Sequence, residues 1–74
     1  MTMVYLANVP SLETEWGIEC FTPHAHVSID FPYRDQNLYV VIPHYGRMGC
    51  RSFERFDQAM DYASRLIQQS EPML

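Results

Sequence analysis

The chain has 74 residues, 47% of them hydrophobic and 14% aromatic, which suits one small folded domain and is too apolar for an intrinsically disordered chain. Nine acidic residues against five arginines and no lysine give a formal charge of −4, which argues against direct binding to nucleic-acid phosphates. No apolar run approaches the ~20 residues of a membrane span, and the first residues lack the basic segment of a signal peptide. We therefore expect a cytoplasmic protein without membrane contact.

The first predicted strand follows a short N-terminal segment. Residues 1–10 contain a brief apolar run and are compatible with an arm or an extra edge strand. Along residues 13–21 apolar and polar residues alternate, with Trp16, Ile18 and Cys20 on the inward face. Alternation with a period of two predicts a half-buried strand. The residues on its solvent face include three acids: Glu13, Glu15 and Glu19.

Three more strands are predicted between turn-forming stretches. Residues 24–31 alternate again, residues 38–42 are rich in β-branched and aromatic side chains, and residues 47–52 complete the set. Proline, asparagine, aspartate and glycine place turns at residues 32–37 and 43–46. Consecutive strands joined by such short turns are antiparallel.

Hairpins with one apolar face predict the register of each pair. Tyr39 and Val41 then face solvent, while the residues on either side of them point inward. The predicted partners across the three turns are Glu19 with His26, Glu15 with Asp30, Phe31 with Leu38, Ile29 with Val40, Ile42 with Met48, and Val40 with Cys50.

The last predicted element is an amphipathic helix. Apolar residues recur at spacings of three and four along residues 53–69, which predicts a helix with one apolar stripe and leaves 70–74 as a tail. Ser52 caps it, or the chain stays extended and the helix begins near Phe56. The predicted fold is one α+β domain over residues 1–74, a four-stranded antiparallel meander covered by one C-terminal helix (ββββα).

Histidines and cysteines are the residues that suggest chemistry. His24 and His26 share a strand face and are candidate metal ligands, whereas His44 leans to the opposite face by the same parity. Cys20 and Cys50 lack C-x-x-C spacing and lie on opposite edge strands of the predicted sheet, so we expect free thiols, with Cys50 directed to the core. No motif requires a cofactor.

Charge and exposed aromatic residues suggest a contact surface instead. The part of the chain before Pro32 contains four acids and no basic residue, whereas the fourth predicted strand carries arginines. Tyrosine, tryptophan and arginine are enriched where proteins bind each other, and a charged patch steers association. The candidate partner-binding residues are Glu13, Glu15, Glu19, Asp30, Tyr33, Arg34, Tyr39, Arg47 and Arg51.

Two functional hypotheses follow from these residues. The first is a small acidic, non-catalytic module that occupies the surface of a partner protein with basic character. Its size and charge are typical of inhibitors made by phages and mobile elements, such as anti-CRISPR or anti-restriction proteins. The alternative is a small metal-binding or catalytic subunit that uses His24, His26 and Cys50. A homodimer formed through an edge strand is compatible with either hypothesis.

Overall fold

The protein is a six-stranded antiparallel sheet with one helix, as seen in a computed structural model that describes residues 2–47 and 49–70. The strands pair in chain order, so the sheet is a simple meander with β1 and β6 at its edges. The elements are β1 (Thr2–Leu6), β2 (Val9–Thr14), β3 (Gly17–Phe21), β4 (His26–Asp30), β5 (Tyr39–Pro43), β6 (Arg51–Phe53) and α1 (Phe56–Ser70).

The predicted fold class is confirmed at the level of a small α+β domain with an antiparallel sheet and a C-terminal helix. The predicted number of strands is wrong, because the described residues form six strands rather than four. Met48 and residues 71–74 lie outside the described residues, and so do the predicted Ile42–Met48 pair and most of the predicted tail. No helix in the described part of the chain has the length and apolar character needed to cross a membrane.

The N-terminal segment supplies one of the additional strands. Residues 2–6 form β1, which pairs with β2 through a two-residue turn at Ala7 and Asn8. Both turn residues have positive φ, 51° and 66°, the conformation that matches the twist of a tight hairpin. Asparagine tolerates this conformation well, so Asn8 is the sequence feature that permits the hairpin.

A second turn interrupts the strand predicted over residues 13–21. Thr14 pairs with Gly17, and the two residues between them form a turn. The Trp16 amide donates a hydrogen bond to the Thr14 hydroxyl (3.1 Å), which stabilises the turn locally. The prediction of one continuous strand with an inward Trp16 is therefore wrong, since this side chain is 62% exposed.

The register between β4 and β5 differs from the predicted one by a single residue. Ile29 lies opposite Val41 instead of Val40, because the connection between these strands extends over residues 31–38 and contains Arg34 in the left-handed conformation (φ 60°). A shift of one residue exchanges the two faces of a strand. Val41 is accordingly buried, whereas Leu38 is 40% exposed.

In the other two predicted hairpins, inward residues still lie opposite inward residues, but the individual pairs differ from the predicted ones. Glu19 lies opposite Ser28, because the β3–β4 connection includes Ala25 as well as the predicted Thr22–Pro23 turn. Val40 lies opposite Ser52 rather than Cys50.

The core lies between α1 and one face of the sheet. The helix packs against β4 and β5 and also touches both edge strands. The small and branched side chains of α1 face the sheet. The apolar periodicity of the sequence therefore identifies the buried face of the helix. The buried helical residues are Ala59, Ala63, Leu66 and Ile67, and the strand residues beneath them are Leu6, Ile18, Cys20, Val27, Ile29 and Val41.

Truncation of the helical stripe tests this packing. Leu66 is 2% exposed, so Leu66→Ala is expected to lower the free energy of unfolding by about 2–5 kcal/mol. Phe56 lies at the start of α1 and is 38% exposed, so Phe56→Ala is expected to cost less. Urea unfolding of both variants measures the difference. Equal losses, or a larger loss for Phe56→Ala, would contradict the described position of the helix.

Candidate binding site at the acidic end of the sheet

The topology gathers three connections at one end of the sheet. In a meander, alternate connections lie at the same end, and here these are β2–β3, β4–β5 and β6–α1. We call residues 13–16, 30–39 and 54–57 the acidic end. They contain six carboxylates and two arginines, a net charge of −4. The formal charge of the whole chain is also −4. The charged residues are Glu13, Glu15, Asp30, Arg34, Asp35, Glu54, Arg55 and Asp57.

One cleft of about 310 Å³ opens at this end on the sheet face away from α1. Trp16 and Tyr33 meet edge to face across it, with ring centroids 5.6 Å apart and planes inclined by 64°. Asp30 lines the same cleft, and the Arg34 guanidinium lies 5.1 Å from the Tyr33 centroid. Both rings are highly exposed, 62% for Trp16 and 50% for Tyr33. We call this the open-side cleft.

A second cleft of about 280 Å³ opens on the other face, beside the start of α1. Three half-exposed rings line it, with centroids 6.0 Å apart for Phe31–Tyr39, 5.8 Å for Phe31–Phe56 and 5.5 Å for Tyr39–Phe56. Pro32 and Glu13 complete the lining. We call this the helix-side cleft. Phe31 lines both clefts and connects them.

Most carboxylates of the acidic end have no basic partner among the described residues. The ion pairs of residues 2–47 and 49–70 involve Glu19, Asp57 and Asp61. The Arg55 guanidinium donates two hydrogen bonds to the Asp57 carboxylate (3.0 and 2.9 Å), and these bonds hold the pKa of Asp57 below its usual value. The other acids leave this end with a negative field that acts on approaching molecules.

The structure brings together some of the residues predicted to bind a partner. Glu13 and Tyr39 line the helix-side cleft, and Asp30 and Tyr33 line the open-side cleft. Tyr39 faces α1 because of the β4–β5 register, so its predicted solvent-facing position is wrong. Arg34 stacks on Tyr33, and Glu15 lies in the exposed turn beside Trp16.

Three other predicted residues lie elsewhere. Glu19 is on the open sheet face and contacts His26. Arg47 lies in the β5–β6 connection, at the opposite end of the sheet. Arg51 lies on the helix side, 5.3 Å from the Tyr62 centroid, so its predicted projection from the open face is wrong. The β4–β5 register shift is the cause, because Arg51 pairs with Val41, which faces the core.

The three acids predicted to project from one strand face do not share one. Glu13 belongs to β2 and pairs with Ile18, a core residue, so its side chain is on the helix side. Glu15 lies in the β2–β3 turn, and Glu19 is on the open face of β3. The turn that divides residues 13–21 produces this separation.

Two of the three histidines, His26 and His44, form a stack with Phe21 on the open face of the sheet. The ring of His26 lies between those of Phe21 and His44, with centroid distances of 4.1 Å on each side. Glu19 contacts His26, and Ser28 shares a 2.7 Å hydrogen bond with the Nε2 atom of His44. The prediction that His44 and His26 occupy opposite faces is wrong, because the one-residue shift of β5 exchanges its faces.

This stack has the composition of a hydrolytic site but not its geometry. Ser28 is 3% exposed and lines neither of the clefts described above, so its hydroxyl is shielded from solvent. Glu19 contacts His26 rather than His44, the histidine bonded to Ser28. The contacts hold these side chains against one another.

The residues of the metal or catalytic hypothesis are spread over the fold. His24 lies in the bend between β3 and β4, and His26 begins β4. Cys50 precedes β6 and is exposed, so its predicted inward position is wrong, while Cys20 is buried in an interior strand and not at an edge. Both thiols are free. Within residues 2–47 and 49–70, no group of three or more histidine, cysteine or acidic side chains converges on a metal-sized site.

Several site residues were not recognised in the sequence as surface residues. Phe31, Phe56 and Trp16 fall at inward positions of regular apolar patterns, but they lie at element ends where the core stops. The glycine after Trp16 is the sequence feature that indicates a turn here. In the structure, a Cβ at Gly17 would lie 2.1 Å from the Ile29 carbonyl oxygen. Such a glycine marks a close backbone approach beside a turn.

Comparison with known proteins provides no family for this chain. No family model, no curated protein and no solved structure matches it.

The fluorescence of Trp16 tests the geometry of the open-side cleft. This residue is the only tryptophan of the chain, and its 62% exposure predicts emission near that of tryptophan in water and ready quenching by acrylamide. Unfolding in urea should then shift the emission maximum only slightly. A strongly blue-shifted emission that moves to longer wavelength on unfolding would place Trp16 in the core instead.

Proposed function

We propose that this protein is a non-catalytic protein-binding module whose partner-facing surface is the acidic end of the sheet. The observation that supports the proposal most is the open-side cleft, where Trp16 and Tyr33 are exposed beside the Asp30 carboxylate. Exposed aromatic rings that flank a cleft are the usual anchors of protein interfaces, since they bury much surface at little conformational cost. The module acts by occupying its partner's surface.

The charge distribution supports a partner with a basic surface. All four net negative charges lie at the end that carries the exposed rings. Concentrated like charge opposes folding through self-repulsion, so its placement beside the rings favours a role in association. Such a field accelerates the encounter with a positively charged partner, and the effect falls as salt screens it.

The class of module that we propose is a small inhibitor of the kind made by phages and mobile elements. The chain has the small size and the net acidity of that class. An inhibitor of this type needs no catalytic group, because covering a functional surface of the target is sufficient.

Site-specific photocrosslinking in the source cell tests the proposed surface. A photoreactive phenylalanine analogue is placed at position 16, at position 33 or, as a control, at position 5. Tyr5 is a matched control because it is also 62% exposed, but it lies on β1 outside the acidic end. We expect positions 16 and 33 to capture the same protein and position 5 to capture none of it. Capture from position 5 alone would contradict the proposal.

Binding measurements on the captured protein complete the test. Trp16→Ala and Tyr33→Ala are each expected to weaken binding by about 1–4 kcal/mol and to lower the melting temperature only slightly, through loss of the contact between the two rings, whereas Tyr5→Ala leaves binding unchanged. Glu15→Gln combined with Asp35→Asn should slow association at low salt and have little effect at high salt. Unchanged binding by both ring variants would refute the proposed surface.

A further inference from the structure

We propose that the helix-side cleft is a binding site for an alkylated ammonium group. Its lining combines three aromatic residues with one acidic residue, Glu13, whose side chain is on the same face of the sheet. Aromatic faces attract cations through the ring quadrupole, and quaternary ammonium groups are recognised in cages of this composition. The cleft belongs to the acidic end but lies on the opposite sheet face from the open-side cleft.

The geometry of the rings supports this site. The planes of Phe31 and Tyr39 are inclined by 77°, those of Phe31 and Phe56 by 80°, and those of Tyr39 and Phe56 by 50°. The rings therefore form walls in different directions rather than one flat stack. The centroid distances of 5.5–6.0 Å allow one small group at the cleft mouth to contact more than one ring within the range of a cation–π interaction.

Several elements of the fold hold these walls. Tyr39 begins β5, Phe31 follows β4, and Phe56 begins α1. Phe31 contacts both Tyr39 and Phe56 edge to face, and these contacts stabilise the arrangement of the rings. The site is thus positioned before a ligand arrives, which reduces the entropy lost on binding.

Charge and polarity select the class of ligand. Within residues 2–47 and 49–70, the Glu13 carboxylate has no ion-pair partner and no side-chain hydrogen bond. It provides one negative charge beside otherwise apolar walls. An unmodified lysine ammonium is strongly hydrated and needs several acceptors. An alkylated ammonium instead buries its methyl groups against the rings while keeping its positive charge.

The cleft is open to solvent, so a small head group can occupy it while the rest of the ligand extends outward. The cleft volume of about 280 Å³ is at the lower end of ligand sites. A trimethylammonium group at the end of a chain fits this description. Such a group occurs in a methylated lysine side chain and in free choline-like amines, which share the chemistry that the cleft recognises.

NMR titration of the whole protein with free probes tests the site. The probes are choline, acetylated trimethyllysine amide, the corresponding lysine amide, and 3,3-dimethylbutan-1-ol, an uncharged isostere of choline. We expect the two trimethylammonium probes to shift the resonances of Glu13, Tyr39 and Phe56 but not the Trp16 indole. The lysine amide and the isostere should bind more weakly. Equal binding of choline and its isostere would show an apolar cleft only and overturn the proposal.

Variants separate the ring and charge contributions. Tyr39→Leu preserves apolar volume but removes a ring, and it should weaken trimethylammonium binding by about five- to thirty-fold without changing the affinity for the isostere. Glu13→Gln should weaken binding of the cations alone. Tyr5→Leu is the control and should bind as the original protein does. No shift at the cleft with any trimethylammonium probe at millimolar concentration would also overturn the site.

The two trimethylammonium probes distinguish the sources of the ligand. Tighter binding of the lysine derivative indicates a methylated protein, and tighter binding of choline indicates a free amine. Because the probes are free small molecules, this site is tested without the partner of the proposed module, so either proposal can fail its test while the other is confirmed.

Discussion

The pairing of Ile29 with Val41 is the constraint on which the remaining structure depends. It places Val41 in the core and turns Tyr39 towards α1, where its ring meets those of Phe31 and Phe56. The same pairing directs Arg51 to the helix side. A register shifted by one residue would reverse each of these orientations. The helix-side cleft is therefore a direct consequence of how β4 and β5 pair.

The acidic end combines two properties that single-domain stability does not require. Its carboxylates repel one another, and its aromatic rings remain partly in water instead of joining the core. With one 15-residue helix over six strands, the chain has too little material to cover both sheet faces and every strand end. Polar residues could occupy the uncovered strand ends without cost to the core. The presence of exposed rings beside acids at one end therefore favours a role in binding another molecule.

The sequence predicts what depends on local periodicity. The apolar stripe of α1 is visible at spacings of three and four, and β4 and β5 are visible as alternating or β-branched runs. The two-residue turn at residues 15–16 is not predictable from the pattern, because apolar and polar residues continue to alternate through it. The β1–β2 hairpin was hidden for a different reason, since a turn with Ala7 at positive φ has no strong composition signal.

The candidate site was predictable only in part. Charge counting drew attention to Glu13 and Asp30, and composition drew attention to Tyr33, all of which line the clefts. The rings of Phe31 and Phe56 were missed, because an apolar residue in a regular pattern is usually buried. Their exposure depends on where the core ends, which is a property of the three-dimensional arrangement and not of any local segment.

Nuclear Overhauser effects between the aromatic rings test the central claim most directly. With the described β4–β5 register, the ring protons of Tyr39 give cross-peaks to those of both Phe31 and Phe56, and the Val41 methyl groups give cross-peaks to buried side chains of α1. The alternative register, with Ile29 opposite Val40, would replace them with cross-peaks from Leu38 to the phenylalanine rings and from Val40 to α1. Observation of the second set would contradict the account.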